Sequence, residues 1–246
     1  MLQEFCDLST SRRRVQLCSP EWISDKTSAA NPRGLLGGLW SSEELCVNPR
    51  LALGQMARFF SEHVGIDLYS DATVIAVDGR EILASDGRQW KANLTLVCSG
   101  TDFETLYPRE FGESGIRRVE LQMFRTRVQR GGWQLNTHLS SGLSLLHHQS
   151  FAECPSLANL RQRVLAETPE LDQFGIHVMA SQNDAGNVIL GDSHECDDST
   201  EPFYRQDSED LVMRELRKRF ILPDWTIESR WRGCYAQHPT KPLLRL

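Results

Sequence analysis

The sequence contains no long apolar stretch. A helix that spans a bilayer needs roughly 20 consecutive apolar residues, and no run in the 246 residues approaches that length. The opening residues, MLQEFCD, have no basic region followed by an apolar one, which a secretory signal peptide requires. We therefore expect a cytoplasmic protein without a membrane span.

Cysteine pairs and excess positive charge are also missing. The seven cysteines form no C-x-x-C motif, and their odd number and irregular spacing predict reduced thiols rather than disulfides or a zinc site. The formal net charge of −6 argues against binding nucleic acid through its phosphates, so no nucleic-acid partner is expected.

Several motifs of well-known active sites are absent. There is no G-x-G-x-x-G dinucleotide fingerprint, no phosphate-binding P-loop and no G-x-S-x-G nucleophile elbow. The polar segment 192–198 has metal-ligating residue types, but their spacing does not place them on one face. His147 and His148 are assigned to a strand, where neighbours point to opposite faces and at most one reaches a pocket. No metal site is predicted.

The first half of the chain carries clear structural patterns. Asparagine and proline at 48–49 begin a predicted helix that Gly65 ends. One face of this helix is expected to lie in a core: Leu53, Met56, Ala57, Phe60 and Val64. Alternating residues around Asp-Gly turns at 78–79 and 86–87 predict an antiparallel meander. The apolar run 94–98 predicts a strand that is buried on both faces.

The second half indicates longer antiparallel pairing. A turn at 183–186 separates two apolar segments, and helices are predicted at 155–167 and after Asp207. Strands are predicted at 120–124, 143–146, 176–180, 188–191 and 227–231. Together these patterns predict an α+β protein with two lobes.

Four stretches together resemble one enzyme superfamily. They are GGLWSSEEL at 37–45 with VNPR at 47–50, VCSGTDFETL at 97–106, LQM at 121–123, and GIHVM at 175–179 with LGDSHE at 190–195. The resemblance is to FAD-dependent amine and amino-acid oxidoreductases, the superfamily of D-amino-acid oxidase, glycine oxidase and sarcosine oxidase. FAECPSL at 151–157 and WRGCYA at 231–236 are similar to a bacterial subfamily associated with phosphonate catabolism.

This resemblance implies an architecture and a reaction. Residues 1–105 and 225–246 would form a partial FAD-binding lobe, an incomplete Rossmann-like sheet with an antiparallel meander. Residues 106–224 would form an antiparallel-sheet substrate lobe. The implied cofactor is FAD, and the implied substrate is a small amine or amino-acid-like molecule that is oxidised by hydride transfer to flavin.

The chain departs from the family pattern at both ends. The family begins with a strand, a G-x-G-x-x-G turn and a helix, and ends with a glycine-rich segment that closes over the flavin. Neither is found in this sequence, so we expect a fragment. Two hypotheses follow: an oxidoreductase of this family, or a truncated, non-catalytic remnant that does not retain flavin.

The resemblance assigns cofactor contacts to three residues. Val74 matches a meander position whose backbone meets the adenine side of FAD. Ser99 and Gly100 match the end of a strand that approaches the cofactor. The alternative for each is an ordinary strand or turn residue.

Three further residues are candidates for the substrate pocket. Gln122, His147 and His177 lie on predicted strands of the substrate lobe, where they could line the pocket. For each, the alternative is a purely structural role. Neither the resemblance nor the residues assign a catalytic residue, an electron acceptor or an oligomeric state.

Overall fold

The structure is a computed structural model that describes residues 1–9, 14–197, 203 and 205–238. Its α-helices are α1 (Leu2–Leu8), α2 (Pro20–Lys26), α3 (Pro49–Phe59), α4 (Pro108–Ser114), α5 (Leu157–Glu167), α6 (Pro169–Gln173) and α7 (Gln206–Arg219). Its strands are β1 (Val15–Cys18), β2 (Gly38–Ser41), β3 (Val74–Asp78), β4 (Glu81–Ala84), β5 (Gln89–Lys91), β6 (Arg117–Val128), β7 (Leu139–Ser140), β8 (Met179–Gln182), β9 (Asn187–Gly191), β10 (Glu195–Asp197) and β11 (Ile227–Gln237). This mixture of helices and antiparallel sheets confirms the predicted α+β class.

Packing divides the chain into two compact units. The first, which we call the sheet unit, comprises 1–47, 120–195 and 201–233. The second, which we call the meander unit, comprises 48–119, 196–200 and 234–246. The predicted lobes have other boundaries, and the division into a flavin lobe and a substrate lobe stays a prediction. Residues 239–246 of the predicted flavin lobe lie outside the described residues.

The first 47 residues belong to the sheet unit because they make direct contacts with it. The Phe5 ring lies 4.4 Å from the Phe151 ring, centroid to centroid. The Thr27 hydroxyl donates a buried hydrogen bond of 2.9 Å to the carbonyl of Leu135. These contacts join segments that are more than 100 residues apart in the sequence.

Antiparallel pairing organises the sheet unit. The strand order is β10-β6-β9-β8-β7, and β11 also pairs with β6. The β8–β9 hairpin pairs Ala180 with Leu190 and Gln182 with Val188, around the turn predicted at 183–186. Val188 and Leu190 are fully buried, and Asn187 is nearly so. This burial is typical of a central strand.

Helix α7 covers part of this core. Val212 and Leu216 are fully buried and Phe220, just after the helix, is nearly so. They pack in one cluster with Phe124 of β6 and Leu190 of β9. Each buried aliphatic or aromatic side chain contributes about 1.5–3 kcal/mol relative to exposure in water. The apolar spacing predicted after Asp207 is therefore confirmed as a core-facing helix.

The meander unit contains the predicted three-strand sheet. β3, β4 and β5 pair antiparallel in that order, with Asp78 opposite Glu81 across the first turn. Gly79 and Gly87 both have positive φ, at +56° and +89°, which is the conformation that tight hairpin turns require of glycine. The two predicted Asp-Gly turns are confirmed.

Two predictions for the meander unit are wrong in their burial. Helix α3 begins at Pro49, and a π-helical turn, Phe60–Val64, continues it to the residue before Gly65, as predicted. However, Met56 and Val64 of the apolar face are exposed. The run 94–98 forms no strand, and Leu94 and Leu96 are 77% and 70% exposed. A strand is defined by a hydrogen-bonded neighbour, and none of the described strands lies beside 94–98.

Two further properties concern the whole described chain. All seven cysteines lie in the described ranges, and each has a free thiol. None of the helices in those ranges combines the length and the apolar character that a bilayer span requires.

A substitution at Gly175 tests how closely this residue packs against His194. Gly175 has φ +54°, and a Cβ there would lie 2.7 Å from the His194 carbonyl oxygen, far inside normal contact. We expect Gly175→Ala to lower the free energy of unfolding by about 3 kcal/mol, because backbone strain of about 1–2 kcal/mol adds to overpacking. Urea unfolding followed by circular dichroism measures this change.

Gly131 provides the matched control for that substitution. Its φ is +64°, yet a Cβ there would meet nothing within 4 Å. Gly131→Ala should therefore cost only the backbone strain, about 1–2 kcal/mol. Equal losses at the two positions would show that the contact with His194 is not tight.

Candidate functional site

Three segments of the sheet unit converge beside the β8–β9 hairpin. They are the turn Gly142–Leu146, the residues just before β8, and the residues just after β9. His177 and Asp192 face each other across the hairpin: the His177 amide donates to the Asp192 carbonyl at 3.2 Å, and the Asp192 amide donates to the His177 carbonyl at 2.9 Å. This reciprocal pair extends the hairpin and places the two residues side by side.

Three imidazole rings meet at this point. His147 stacks on His177 with centroids 4.2 Å apart and an interplanar angle of 28°. His194 lies 4.5 Å from His177 and 5.3 Å from His147, again between ring centroids. One ring nitrogen from each lies within 4.8 Å of the others, and we call these three residues the histidine cluster.

A buried carboxylate lies against the cluster. Asp192 Oδ1 is 3.5 Å from His177 Nε2 and 3.6 Å from His194 Nδ1. The Asp192 side chain is only 3% exposed. Its Oδ1 atom makes no hydrogen bond with any described residue. A buried oxygen in this state costs free energy unless a cation or a proton accompanies it.

Burial determines the charges of these groups. Desolvation, reinforced by the neighbouring histidines, lowers the pKa of His177 to about 2 and that of His194 to about 4. Desolvation also raises the pKa of Asp192 to about 7. Both imidazoles are therefore neutral at pH 7, and their nitrogens can accept hydrogen bonds or bind a metal.

Two serines hold the imidazole of His177 in its orientation. Ser144 Oγ lies 3.2 Å from His177 Nδ1 in a buried hydrogen bond. Ser141 holds the adjacent backbone, since its amide donates to the Val178 carbonyl at 2.9 Å. The ring of His177 is thus fixed with Nε2 directed toward His194 and Asp192.

The local fold around His147 differs from the prediction. Residues 142–146 form a short helical turn rather than a strand, because the Ser144 and His147 amides donate to carbonyls three residues earlier. His147 and His148 therefore do not point to opposite faces of a strand, as the sequence had predicted. His148 also approaches His177, with ring centroids 6.3 Å apart.

The predicted pocket residue Gln122 does not join the cluster through its side chain. It lies on β6, as predicted, and is buried. Its Nε2 donates to Glu209 of α7 at 3.3 Å, and Glu209 in turn pairs with Arg230 at 2.9 Å. This network ties β6 to α7 and β11, which fits the structural role left open for Gln122.

Sequence reasoning missed His194 and Asp192, which it assigned to a polar loop. The signal was the predicted turn at 183–186. The β8–β9 register pairs residues whose numbers sum to 370, and its extension would set residue 177 opposite 193, one residue from its observed partner Asp192. Counting outward from the turn would have brought these residues to His177.

The predicted cofactor residues lie in the meander unit. Val74 opens β3, an outer strand of its sheet, and a register shift at Val74–Ala76 marks a bulge. Ser99 and Gly100 sit in a turn, where Ser99 Oγ donates to the Asp102 carbonyl at 2.9 Å. They are not at the end of a strand, contrary to the prediction, because 94–98 has no strand partner.

The surroundings of Val74 and Gly100 leave room for a ligand. An outer strand leaves alternate backbone N–H and C=O groups directed away from its neighbour, and such groups can bind the edge of an adenine ring. A Cβ at Gly100 would meet nothing within 4 Å, so the turn is open to a ligand. The described residues offer no glycine-rich turn into a helix, which is the usual pyrophosphate site.

Comparison with known proteins identifies the family. The family model described as DAO, FAD dependent oxidoreductase, matches residues 2–245. The chain therefore belongs to this family of FAD-dependent oxidoreductases. No curated protein sequence matches it.

Solved structures share the fold at low sequence identity. Glycine oxidase from Bacillus cereus ATCC 14579 aligns with TM-score 0.63 and 10% identity, covering 96% of this chain and 57% of the oxidase. L-proline dehydrogenase from P. horikoshii aligns with TM-score 0.63 and 14% identity, covering 93% and 54%. Glycine oxidase from Geobacillus kaustophilus gives TM-score 0.57 and 10% identity, covering 93% and 52%. The chain spans little more than half the length of these proteins.

The shifted pKa values predict how stability depends on pH. His177 and His194 bind protons more weakly when folded, so their contribution to stability is lost as pH falls below about 6.5. Asp192 binds its proton more strongly when folded, so its contribution is lost as pH rises from about 4 to about 7. His177 and His194 oppose one carboxyl, so these three groups together should lower the free energy of unfolding by about 1.4 kcal/mol per pH unit on acidification from 6.5 to 4.5.

Asp192→Asn isolates the carboxyl in this measurement. The amide cannot ionise, so the opposing contribution disappears and the pH slope of the variant should be steeper than that of the parent chain by about 1.4 kcal/mol per pH unit. Urea unfolding between pH 4.5 and 7.5, with EDTA present, gives both slopes. Identical slopes would mean that Asp192 titrates normally in the folded chain.

Proposed function

We propose that this chain is part of an FAD-dependent oxidoreductase that oxidises an amine or amino-acid-like substrate. The observation that carries the proposal is the match of the family model to residues 2–245. The fold similarity to glycine oxidase and to L-proline dehydrogenase supports it, because both are oxidoreductases by name. When bound, FAD accepts a hydride from the carbon next to the substrate nitrogen.

The proposal gives the two units separate tasks. The backbone at Val74 and the open turn at Ser99 and Gly100 would bind the adenosine part of FAD. In the sheet unit, His147 and His177 would line the substrate pocket. His147 is exposed, so a substrate reaches the pair from solvent.

The finer assignments belong to the same proposal. A role in phosphonate catabolism rests on the similarity of 151–157 and 231–236 to the subfamily with that association. A cytoplasmic location rests on the seven free thiols, and the absence of a nucleic-acid partner rests on the net charge of −6. The alternative is a non-catalytic chain that does not retain flavin.

Flavin binding distinguishes these alternatives. We expect the 246-residue chain to bind FAD with a dissociation constant above about 100 μM, equivalent to less than about 5.5 kcal/mol, because its sequence has no fingerprint for the pyrophosphate. Equilibrium dialysis up to millimolar FAD measures this affinity. ADP should compete and FMN should not, since the proposed contacts are to adenosine. Absence of saturable binding would favour the non-catalytic alternative, and micromolar binding would contradict the expected fragment.

A pair of glycine substitutions locates the flavin contact. Gly100 and Gly115 both have positive φ, at +64° and +81°, and a Cβ at either would meet nothing within 4 Å. The two valine variants therefore carry similar backbone strain. Gly100→Val should weaken FAD binding at least fivefold and Gly115→Val should leave it unchanged. Equal effects would assign the loss to strain and remove Gly100 from the proposed site.

The substrate class has its own readout. With saturating FAD and no oxygen, a substrate bleaches the flavin absorbance at about 450 nm. Bleaching by an aminoalkylphosphonate, but not by the amino acid of matching chain length, would support the phosphonate assignment. The reverse preference would support the coarser assignment to amino-acid oxidation.

A further inference from the structure

We propose that His147, His177 and His194 form a binding site for a divalent transition-metal ion of the zinc type, with Asp192 as its buried charge partner. This site is independent of the flavin contacts, which lie in other residues. It was not predicted from the sequence, because its ligands come from three separate segments of the chain.

The spacing of the ring nitrogens fits such an ion. Zinc binds histidine nitrogen at about 2.0–2.1 Å, so two nitrogens in a tetrahedral site lie about 3.4 Å apart. His177 Nε2 and His194 Nε2 are 3.5 Å apart. The ligand atom of His147 lies within 4.8 Å of the other two, so this ring must close by up to about 1.4 Å.

The third ligand is the one that can move. His147 follows the turn Gly142–Leu146 and is exposed, whereas His177 is buried. Rotation of an exposed side chain costs little compared with rearrangement of a packed one. Two ligands are therefore held in place, and the third closes the site from the solvent side, where the ion enters.

Neighbouring side chains lie beside the Nδ1 atoms of the two less exposed ligands, His177 and His194, whose Nε2 atoms would bind the ion. Ser144 Oγ holds His177 Nδ1 at 3.2 Å. Asp192 Oδ1 lies 3.6 Å from His194 Nδ1, near the position of the carboxylates found behind many metal-ligating histidines but beyond hydrogen-bond distance. Such partners orient the ring and make the ligating nitrogen more basic.

Asp192 provides a second observation that points to a cation. Its side chain is 3% exposed, and Oδ1 has no hydrogen-bond partner among the described residues. Oδ1 also lies 3.5 Å from His177 Nε2, so it faces the space between the imidazoles of His177 and His194. A divalent ion there would give this buried oxygen the partner that the described residues do not provide.

The donor set selects the class of metal. Imidazole nitrogens suit Zn²⁺, Co²⁺, Ni²⁺ and Cu²⁺, whereas Mg²⁺ and Ca²⁺ take oxygen ligands. Three protein ligands leave one tetrahedral position for water or for an oxygen of a bound molecule.

Cobalt binding tests the site directly. The full chain, without a polyhistidine tag and freed of metal by EDTA, is titrated with Co²⁺ while the visible d–d absorbance is recorded, and Zn²⁺ is then added as competitor. We expect one Co²⁺ per chain with a dissociation constant below about 10 μM and full displacement by Zn²⁺. Absence of saturable visible bands, or binding weaker than about 100 μM, would overturn the proposal.

Neighbouring histidines provide matched variants. His147 and His148 are both exposed, so His147→Gln and His148→Gln should both fold. His147→Gln should weaken Co²⁺ binding at least tenfold, and His148→Gln should change it less than twofold. A larger loss with His148→Gln would assign the metal elsewhere and overturn the ligand set.

Asp192→Asn tests the charge partner without changing side-chain size. The loss of a group behind a metal ligand typically costs 10–100-fold in affinity. We expect a loss in that range for Co²⁺, with the d–d bands kept because the three imidazoles remain. An unchanged affinity would remove Asp192 from the proposal, and bands lost altogether would make it a direct ligand.

Discussion

The antiparallel pairing of β8 with β9 is the interaction on which the site in the sheet unit depends. Asn183 closes the hairpin, because its side-chain oxygen accepts hydrogen bonds from the amides of Ala185 and Asn187. The register is specified by the core, since Ala180 and Leu190 must both be buried. A slip of one residue would direct His177 to the other face and separate it from Asp192.

The site places polar groups where the fold would favour apolar ones. A carboxyl and two imidazoles lie at the edge of a core that includes Val178 and Leu190. Keeping these groups there costs folding free energy, as their shifted pKa values indicate. The paired strands over-determine the backbone on both sides, so the polar cluster is held despite this cost.

The two units differ in how well local sequence patterns predict burial. In the sheet unit, the apolar residues of α7 are buried because β6 and β9 lie against them. In the meander unit, the helix at Pro49–Phe59 and both Asp-Gly turns form as predicted, yet Met56, Leu94 and Leu96 are exposed. Helix caps and turns arise from neighbouring residues, whereas burial needs a second element, which a sequence pattern does not supply.

The sequence by itself determined the α+β class, the helices at 49–59 and 206–219, the hairpin turns and the family resemblance, because each depends on residues close together in the chain. It also indicated His147 and His177 separately as pocket candidates. Only the tertiary structure decided that they stack on each other, that His194 and Asp192 join them, and that Gln122 bonds to α7 instead. The physical reason is that hairpin register and side-chain packing bring together groups from three segments, and no single segment contains the spacing that a ligand site requires.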